Sequence, residues 1–480
     1  MNILIANGSP KGTNSTTLYT ALYLEALHPE HNFTILHVGQ RIKSFEKNFD
    51  DVKTELEKAD LLFFAYPVYT FIAPYQIHRF IELIKEHKVN LTGKIATQIT
   101  TSKHFYDVTA HRFIEENCWD LGMNVVRGLS ADMDDLLTEK GRKEARDFFD
   151  QVIFSCTNNM FLVPSIRPPK VTYPSYRAVL GTDLGAEENV DSKKETKNRS
   201  KDVVIVTNCS TQDVNLAAMI EDFRSALPYT SRVVNIREFT FSGGCLGCFG
   251  CAVTGACVHK DRFDDFLREK IQKADAIVYA FTIENHYSHS SLKCYDDRQF
   301  CNGHRTVTHG TPIAYIISGN YPYEHNLQTI VEARSEVGGN YLCGIVNDVS
   351  VYQSMENATG KGETAPEKEL TRQLTVLAQA LGYALEKKLS RPANFYGVGG
   401  MKIFRDLIYV MQGLMKADHR FYKKHGIYDF PQKQKKRILQ MKLIGALIAI
   451  PSVQKKMKGK MNTYIIEPYK KVVEETKQKR

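Results

Sequence analysis

The stretch ILIANGSPKGTNSTTLYTAL, residues 3–22, decides the fold. It opens on an apolar run, Asn2 to Ala6, that reads as a buried strand. The polar turn Asn7–Ser15 follows, and Leu18, Leu22 and Leu24 then recur at helical spacing. A turn between a strand end and a helix start is an anion site, because free backbone N–H groups and the helix N-terminus face the ligand. Ser9, Asn14, Ser15 and Thr16 add side-chain donors. The loop is neither G-x-x-x-x-G-K-[ST] nor G-x-G-x-x-G, which argues against a P-loop nucleotidase and a dinucleotide fingerprint. The alternative is a polar turn that only caps a helix.

Working outward, a strand is predicted at Leu61–Tyr69, a helix at Gln76–Glu86 and a strand near Lys94–Thr101. A helix near Ala110–Leu121 and a strand at Met123–Leu129 complete the set. Strands alternating with helices predict a doubly wound parallel sheet. The loop Pro67-Val68-Tyr69-Thr70-Phe71 offers backbone polar groups and aromatic surface to a flat ring, or is a packed strand end. Trp119 is expected in the core.

The pattern then restarts. VVIVTNCSTQDVNLAAMIEDF (203–223) repeats the opening unit, and KADAIVYAFTIENHYSHSSLKCYDDR (273–298) repeats KADLLFFAYPVYTFIAPYQIHRFIEL (58–83). A period of about 200 residues is a duplicated domain rather than a solenoid. Four segments are expected: 1–164 and 201–390 as two α/β domains, 165–200 as a Pro-containing and charged linker, and 391–480 as a basic helical extension.

The second copy carries GGCLGCFGCAVTGAC (243–257), with Cys245, Cys248, Cys251 and Cys257 spaced C-x2-C-x2-C-x5-C. Thiolates this close can wrap an iron–sulfur cluster. Thiols with a redox or packing role, zinc and a disulfide are the other readings. The interleaved glycines permit the positive φ angles such a curl needs.

Ten cysteines, four of them clustered, do not resemble a secreted disulfide framework. MNILIANGSP is unlike a secretory leader, and no apolar run reaches ~18 residues. A cytoplasmic protein is expected. The net charge of +9 is uneven: Arg391–Arg480 holds 21 Lys and Arg against 6 Asp and Glu. Only this tail seeks an anionic partner. Its segment QKKRILQMKLIGALIAIPSVQKKMKGK reads as a helix docked on the body, with a membrane interface as the alternative. No motif supports nucleic-acid binding. His286, His289, His304 and His309 fit no ligand pattern and read as a solvated loop.

NGSPKGTNS, PVYTFIAPYQIHRFIEL and CLGCFGCAVTGACVHKDRFDDFLREKIQKADAIV together resemble the flavodoxin-like NAD(P)H-dependent FMN reductases, and the cysteine run resembles that of the iron–sulfur flavoproteins. The resemblance covers roughly residues 1–160 and 201–390. It implies two flavodoxin-like sheets in tandem. It implies that Ser9, Lys11, Asn14, Ser15 and Thr16 hold the FMN phosphate. Pro67, Val68, Tyr69, Thr70 and Phe71 line the flavin ring, Thr101, Ser102 and Lys103 close its other edge, and the four cysteines ligate a [4Fe-4S] cluster. Tyr69, His104 and Tyr106 are the candidate proton donors. The implied activity is electron transfer from NAD(P)H through FMN, via the cluster, to a quinone, flavin or other small acceptor. A cluster-free FMN-dependent quinone reductase and an electron carrier reduced by a partner protein are the alternatives.

One departure matters. The first copy has the phosphate loop without the cysteines, and the second has the cysteines with a degraded loop. Cys209 stands at the position of Gly8, and Leu216 at that of Ser15. One FMN per chain is expected, with the second copy presenting its cysteines to the first, as two subunits of a dimer would. A homodimer of the whole chain is a further expectation.

Overall fold

The computed structural model describes residues 1–164, 198–350, 366–430, 435–448 and 450–453. The chain divides into two compact units, Met1–Phe421 and Tyr422–Arg480. The larger unit holds two parallel sheets. The first comprises β1 (Asn2–Asn7), β2 (Asn32–Leu36), β3 (Leu61–Pro67), β4 (Ile95–Ser102), β5 (Asn124–Val125) and β6 (Leu129–Asp132). Its order is β2-β1-β3-β4-β5, with β6 also paired to β4. Ile95 and Ala96 pair with β5, and Ile99 to Ser102 pair with β6. The expected strand Met123–Leu129 is therefore an edge broken in two around Gly128, where a Cβ would lie 2.6 Å from the Gln98 carbonyl oxygen.

The second sheet comprises β7 (Asn198–Thr207), β8 (Tyr229–Asn235), β9 (Ala276–Thr282), β10 (Pro312–Ser318) and β11 (Tyr341–Asn347). Its order, β11-β10-β9-β7-β8, repeats the first, with β7 in the place of β1. β7 starts at Asn198, inside the span expected as linker; residues 165–197 of that span lie outside the described residues.

Burial follows strand alternation. Ile3 and Ile5 face helices Thr16–Leu27 and Glu139–Asn158, through Leu18, Leu24, Phe149 and Val152. Leu4 and Ala6 face the other way, into a core that runs on through helices Tyr75–Glu86 and Asp107–Asp120 to Val204, Val206, Tyr279 and Ile317 of the second sheet. One apolar core thus joins the two sheets, and helices Ser290–Arg298 and His325–Gly338 complete it from the second half. The outer face of the second sheet is covered by Val214–Ala226 and by Leu370, Leu374, Leu377 and Leu381 of helix Pro366–Lys387.

Hydrogen bonds between buried polar groups cross this junction. Glu82 accepts the Ser290 N–H at 2.6 Å and its hydroxyl at 2.7 Å. Asn326 donates to the Thr109 carbonyl at 3.0 Å.

His286, expected in a solvated loop, is instead clamped between the halves. It meets Glu324 at 2.9 Å, Asp120 at 3.1 Å and Glu116 at 4.0 Å. Burial disfavours its cation, yet the hydrogen bonds and charges of Asp120 and Glu324 outweigh burial and raise its pKa to about 10. A folded-state pKa above the unfolded value (~6.5) contributes stability that is complete below the unfolded value and is lost as pH rises through the folded one. His286→Gln is expected to flatten the fall in stability between about pH 7 and pH 10 relative to wild type. Urea midpoints measured across that range check it.

Candidate functional site

In each sheet the connections after the first and third strands leave in opposite directions, which opens a crevice at the strand ends. In the first half, Asn7 organises the crevice loop. Its Nδ2 donates to the Gly12 carbonyl at 3.0 Å, and its Oδ1 accepts the Ser9 N–H at 3.2 Å. Gly12 takes φ +57°, and a Cβ there would strike the Gln40 amide at 2.1 Å. Ser15 caps helix Thr16–Leu27 by accepting the Leu18 N–H at 3.3 Å. Ser9 and Ser15 are buried at the cavity wall, with Lys11 and Thr16 beside them.

After β3, Tyr69 and Ile72 bridge each other, so Thr70 and Phe71 form the tip of a tight turn. Both have positive φ, +46° and +74°, without being glycine. Such strain costs of order 1–3 kcal/mol per residue and persists where surrounding structure enforces it. Here the second half enforces it. Lys293 donates to the Tyr69 carbonyl at 2.8 Å, and Asp297 accepts the Tyr75 N–H at 2.7 Å. The aligned turn of the second half, Asn285–His286, repeats the positive φ pair at +52° and +64°.

One cavity collects Ser9, Lys11, Ser15, Thr16, Pro67, Val68, Tyr69, Thr70, Thr101, Ser102 and Lys103 from the first half. Cys245, Cys248, Cys251 and Cys257 of the second half line the same cavity. The two motifs touch: Lys11 Nζ sits 5.3 Å from the centre of the Phe249 ring. A Cβ on Gly247, whose φ is +60°, would lie 1.9 Å from the Tyr69 hydroxyl oxygen.

The other sequence candidates lie elsewhere. Asn14 is exposed, and Phe71 is buried beneath the turn against Phe105 and Tyr106. His104 bonds Asp107 at 2.9 Å, and the Tyr106 hydroxyl donates to the Tyr396 carbonyl at 2.7 Å. None of these four is among the residues lining the cavity.

The cysteine loop is held by Arg298, which donates to the Gly243 carbonyl at 2.8 Å and pairs with Asp261 at 2.7 Å. The Gly247 N–H points at Cys245 Sγ, 3.5 Å away. Burial pushes the Cys245 thiol well up, and burial, with the Asp418 charge and then Cys248 and Cys257 adding to it, raises Cys251 to about 11. Cys301, outside the run, lines the cavity too, and burial raises it to about 12.

Sequence reasoning missed the roof. Ile403, Phe404 and Leu407 of helix Phe395–Val410 face the cavity, with Phe404 stacked on Phe105 at 4.4 Å. His304 also lines it; its Nδ1 lies 3.0 Å from the buried Asp418 carboxylate. The helix approaches closely because Gly397 and Gly400 carry no side chain. A Cβ on Gly400 would lie 2.7 Å from Val337 Cγ2. The apolar spacing of MKIFRDLIYV was the available signal, but it does not say which surface the helix covers.

The aligned loop of the second half differs. Asp213 accepts the Ser210 N–H at 2.7 Å and the Ser210 hydroxyl at 2.6 Å. A carboxylate therefore takes the donors that an incoming anion would need.

Parallel sheets of order 2-1-3-4-5, ligand loops at the strand ends and flanking helices define a flavodoxin-like α/β protein. The sequence profile of the family described as "Flavodoxin-like fold" matches residues 1–147. Among solved structures, the chain is similar to an NAD(P)H:quinone oxidoreductase from Methanothermobacter marburgensis (16% identity over 38% of this chain and 96% of the other, TM-score 0.28). It is also similar to an FMN-dependent NADH-azoreductase from Bacillus anthracis in complex with FMN (12%, 32% and 98%, TM-score 0.26). General stress protein 14 from Treponema denticola, in complex with FMN, is a further match (14%, 32% and 98%, TM-score 0.27). No curated protein matches the chain.

Proposed function

We propose that this protein is an NAD(P)H-dependent FMN oxidoreductase in which the residues of one cavity would hold flavin and a [4Fe-4S] centre, and which delivers electrons to a quinone, flavin or other small acceptor. The observation that carries the reading is the shared cavity, lined by the phosphate loop of one half and all four cysteines of the other. The donor set fits both groups. Lys11 and the buried Ser9 and Ser15 suit a phosphate at a helix N-terminus, and no carboxylate is among the lining residues. Thr101 Oγ1 is buried without a hydrogen-bond partner at the wall, where the polar edge of a ring would satisfy it. Four thiols on a glycine-rich loop with an N–H directed at sulfur suit a cluster.

When bound, flavin supplies hydride and single-electron chemistry and the cluster supplies single-electron transfer. The chain's own residues bind and orient. Tyr69 of the ring loop sets its hydroxyl against Gly247 of the cysteine loop, and Phe105, Phe404 and Leu407 give the cavity apolar wall. Asp213, which takes the Ser210 donors in the second half, supports one FMN per chain, in the first half.

Anaerobic purification with flavin, iron and sulfide analysis tests this. About one FMN and about four iron per chain, with flavin bleaching on addition of NADPH or NADH, are expected. Two FMN per chain, or flavin that neither nicotinamide reduces, would overturn the reading.

A further inference from the structure

From Pro431 to Ile466 the sequence has nine Lys and Arg and no Asp or Glu. Part of this stretch forms the 14-residue helix Lys435–Ile448 in the smaller unit. Its apolar side chains lie in water: Leu439, Met441, Leu443 and Leu447 are 57–59% exposed, and Ile438 and Ile444 at least 40%. Removing this apolar surface from water is favourable, so a covering surface would stabilise it. At ~1.5 Å per residue the helix is far shorter than a ~30 Å hydrocarbon layer. No helix among the described residues is long and apolar enough to cross a membrane.

Charge is distributed along the helix rather than around it. Lys435 and Lys436 stand in the first turn, Lys442 follows, and Leu443–Ile448 carries no charge. Lysines at a helix N-terminus oppose the helix dipole, and the first turn holds no acidic residue to offset them. They are placed for an anionic partner, not for the helix itself. In the sequence, Lys455, Lys456, Lys458 and Lys460 follow.

We infer that helix Lys435–Ile448 docks on an anionic lipid surface. Its apolar C-terminal half enters the acyl boundary, and its lysines meet the headgroups. A second copy of the chain would bring an equally basic segment to the same place, whereas an anionic bilayer answers both the charge and the apolar exposure. This inference does not depend on the reading of the cavity.

The test is co-sedimentation of the full chain with phosphatidylcholine vesicles, with and without phosphatidylglycerol. Binding is expected only to the phosphatidylglycerol vesicles and is expected to weaken steeply in about 0.5 M salt. The triple substitution Lys435→Gln, Lys436→Gln, Lys442→Gln is expected to lower partitioning at least about tenfold. Leu443→Glu with Ile444→Glu is expected to abolish it. These side chains are exposed, so unchanged melting curves are expected of the variants, and the wild-type salt dependence needs no variant. Equal binding to neutral vesicles, no binding at any salt, or a dimer that Leu443→Glu dissolves would each overturn the inference.

Discussion

Cys251→Ser protein purified anaerobically is expected to keep its flavin and to lose iron and acid-labile sulfide together, by at least about tenfold. Cys251 suits the test. It lies in the short helix Gly250–Thr254, half-buried, and faces the cavity. Serine preserves its size, so the loop keeps its course while one thiolate ligand is gone. A cluster held by three thiolates and an alcohol is far weaker, because metal affinity rests on deprotonated soft ligands. Cys301→Ser is the control: Cys301 lines the same cavity but stands outside the run. It is expected to retain iron. Wild-type iron in the Cys251 variant, measured beside unchanged flavin content, would remove the cluster from the proposal and leave the cysteines as thiols.

Lys293→Met is expected to cost roughly 3–5 kcal/mol, the penalty for leaving one partner of a buried ion pair alone. Lys293 and Asp297 side chains are both fully buried and pair one helical turn apart. Burial raises the Asp297 carboxyl to about 6 even with Lys293 opposing it. Without the lysine the carboxyl rises further. A folded-state pKa above the unfolded one means that the native state holds the proton longer, so the penalty is expected to shrink as pH falls towards 5. The effect should extend beyond stability. Lys293 supports the Tyr69 carbonyl, so its loss releases the strained Thr70–Phe71 turn and weakens flavin binding. The double variant Lys293→Met, Asp297→Leu is expected to recover much of the stability, since no charge is left unpaired, but not the flavin affinity. Urea midpoints and flavin retention on gel filtration check both parts. A single-variant loss under about 1 kcal/mol would show that the pair is not what holds the turn.

The architecture is legible in the sequence because buried strands and anion-binding turns are local signals. Ile3–Ala6 and Leu61–Tyr66 are continuous apolar runs, and they form two of the three interior strands of the first sheet. The repeat at 203–223 signals the second sheet by the same local pattern of strand, turn and helix. β2 is harder to see: Asn32–Leu36 is an edge strand, only half-buried, and carries little apolar signal. His286 escapes a sequence reading for a related reason. Its carboxylate partners come from residues 116, 120 and 324, and no local spacing announces them.

The two α/β units, the Asn7–Ser15 loop and the cysteine run can be read from the chain alone, because each is a matter of residues near one another. That loop and cysteines share one cavity follows from long-range packing. That juxtaposition depends on an apolar core joining the sheets and on Lys293, Asp297 and Glu82, whose partners lie more than 200 residues away. Long-range packing likewise decides that Phe404 and Leu407 roof the site, since a helix face states that it will be buried but not against what.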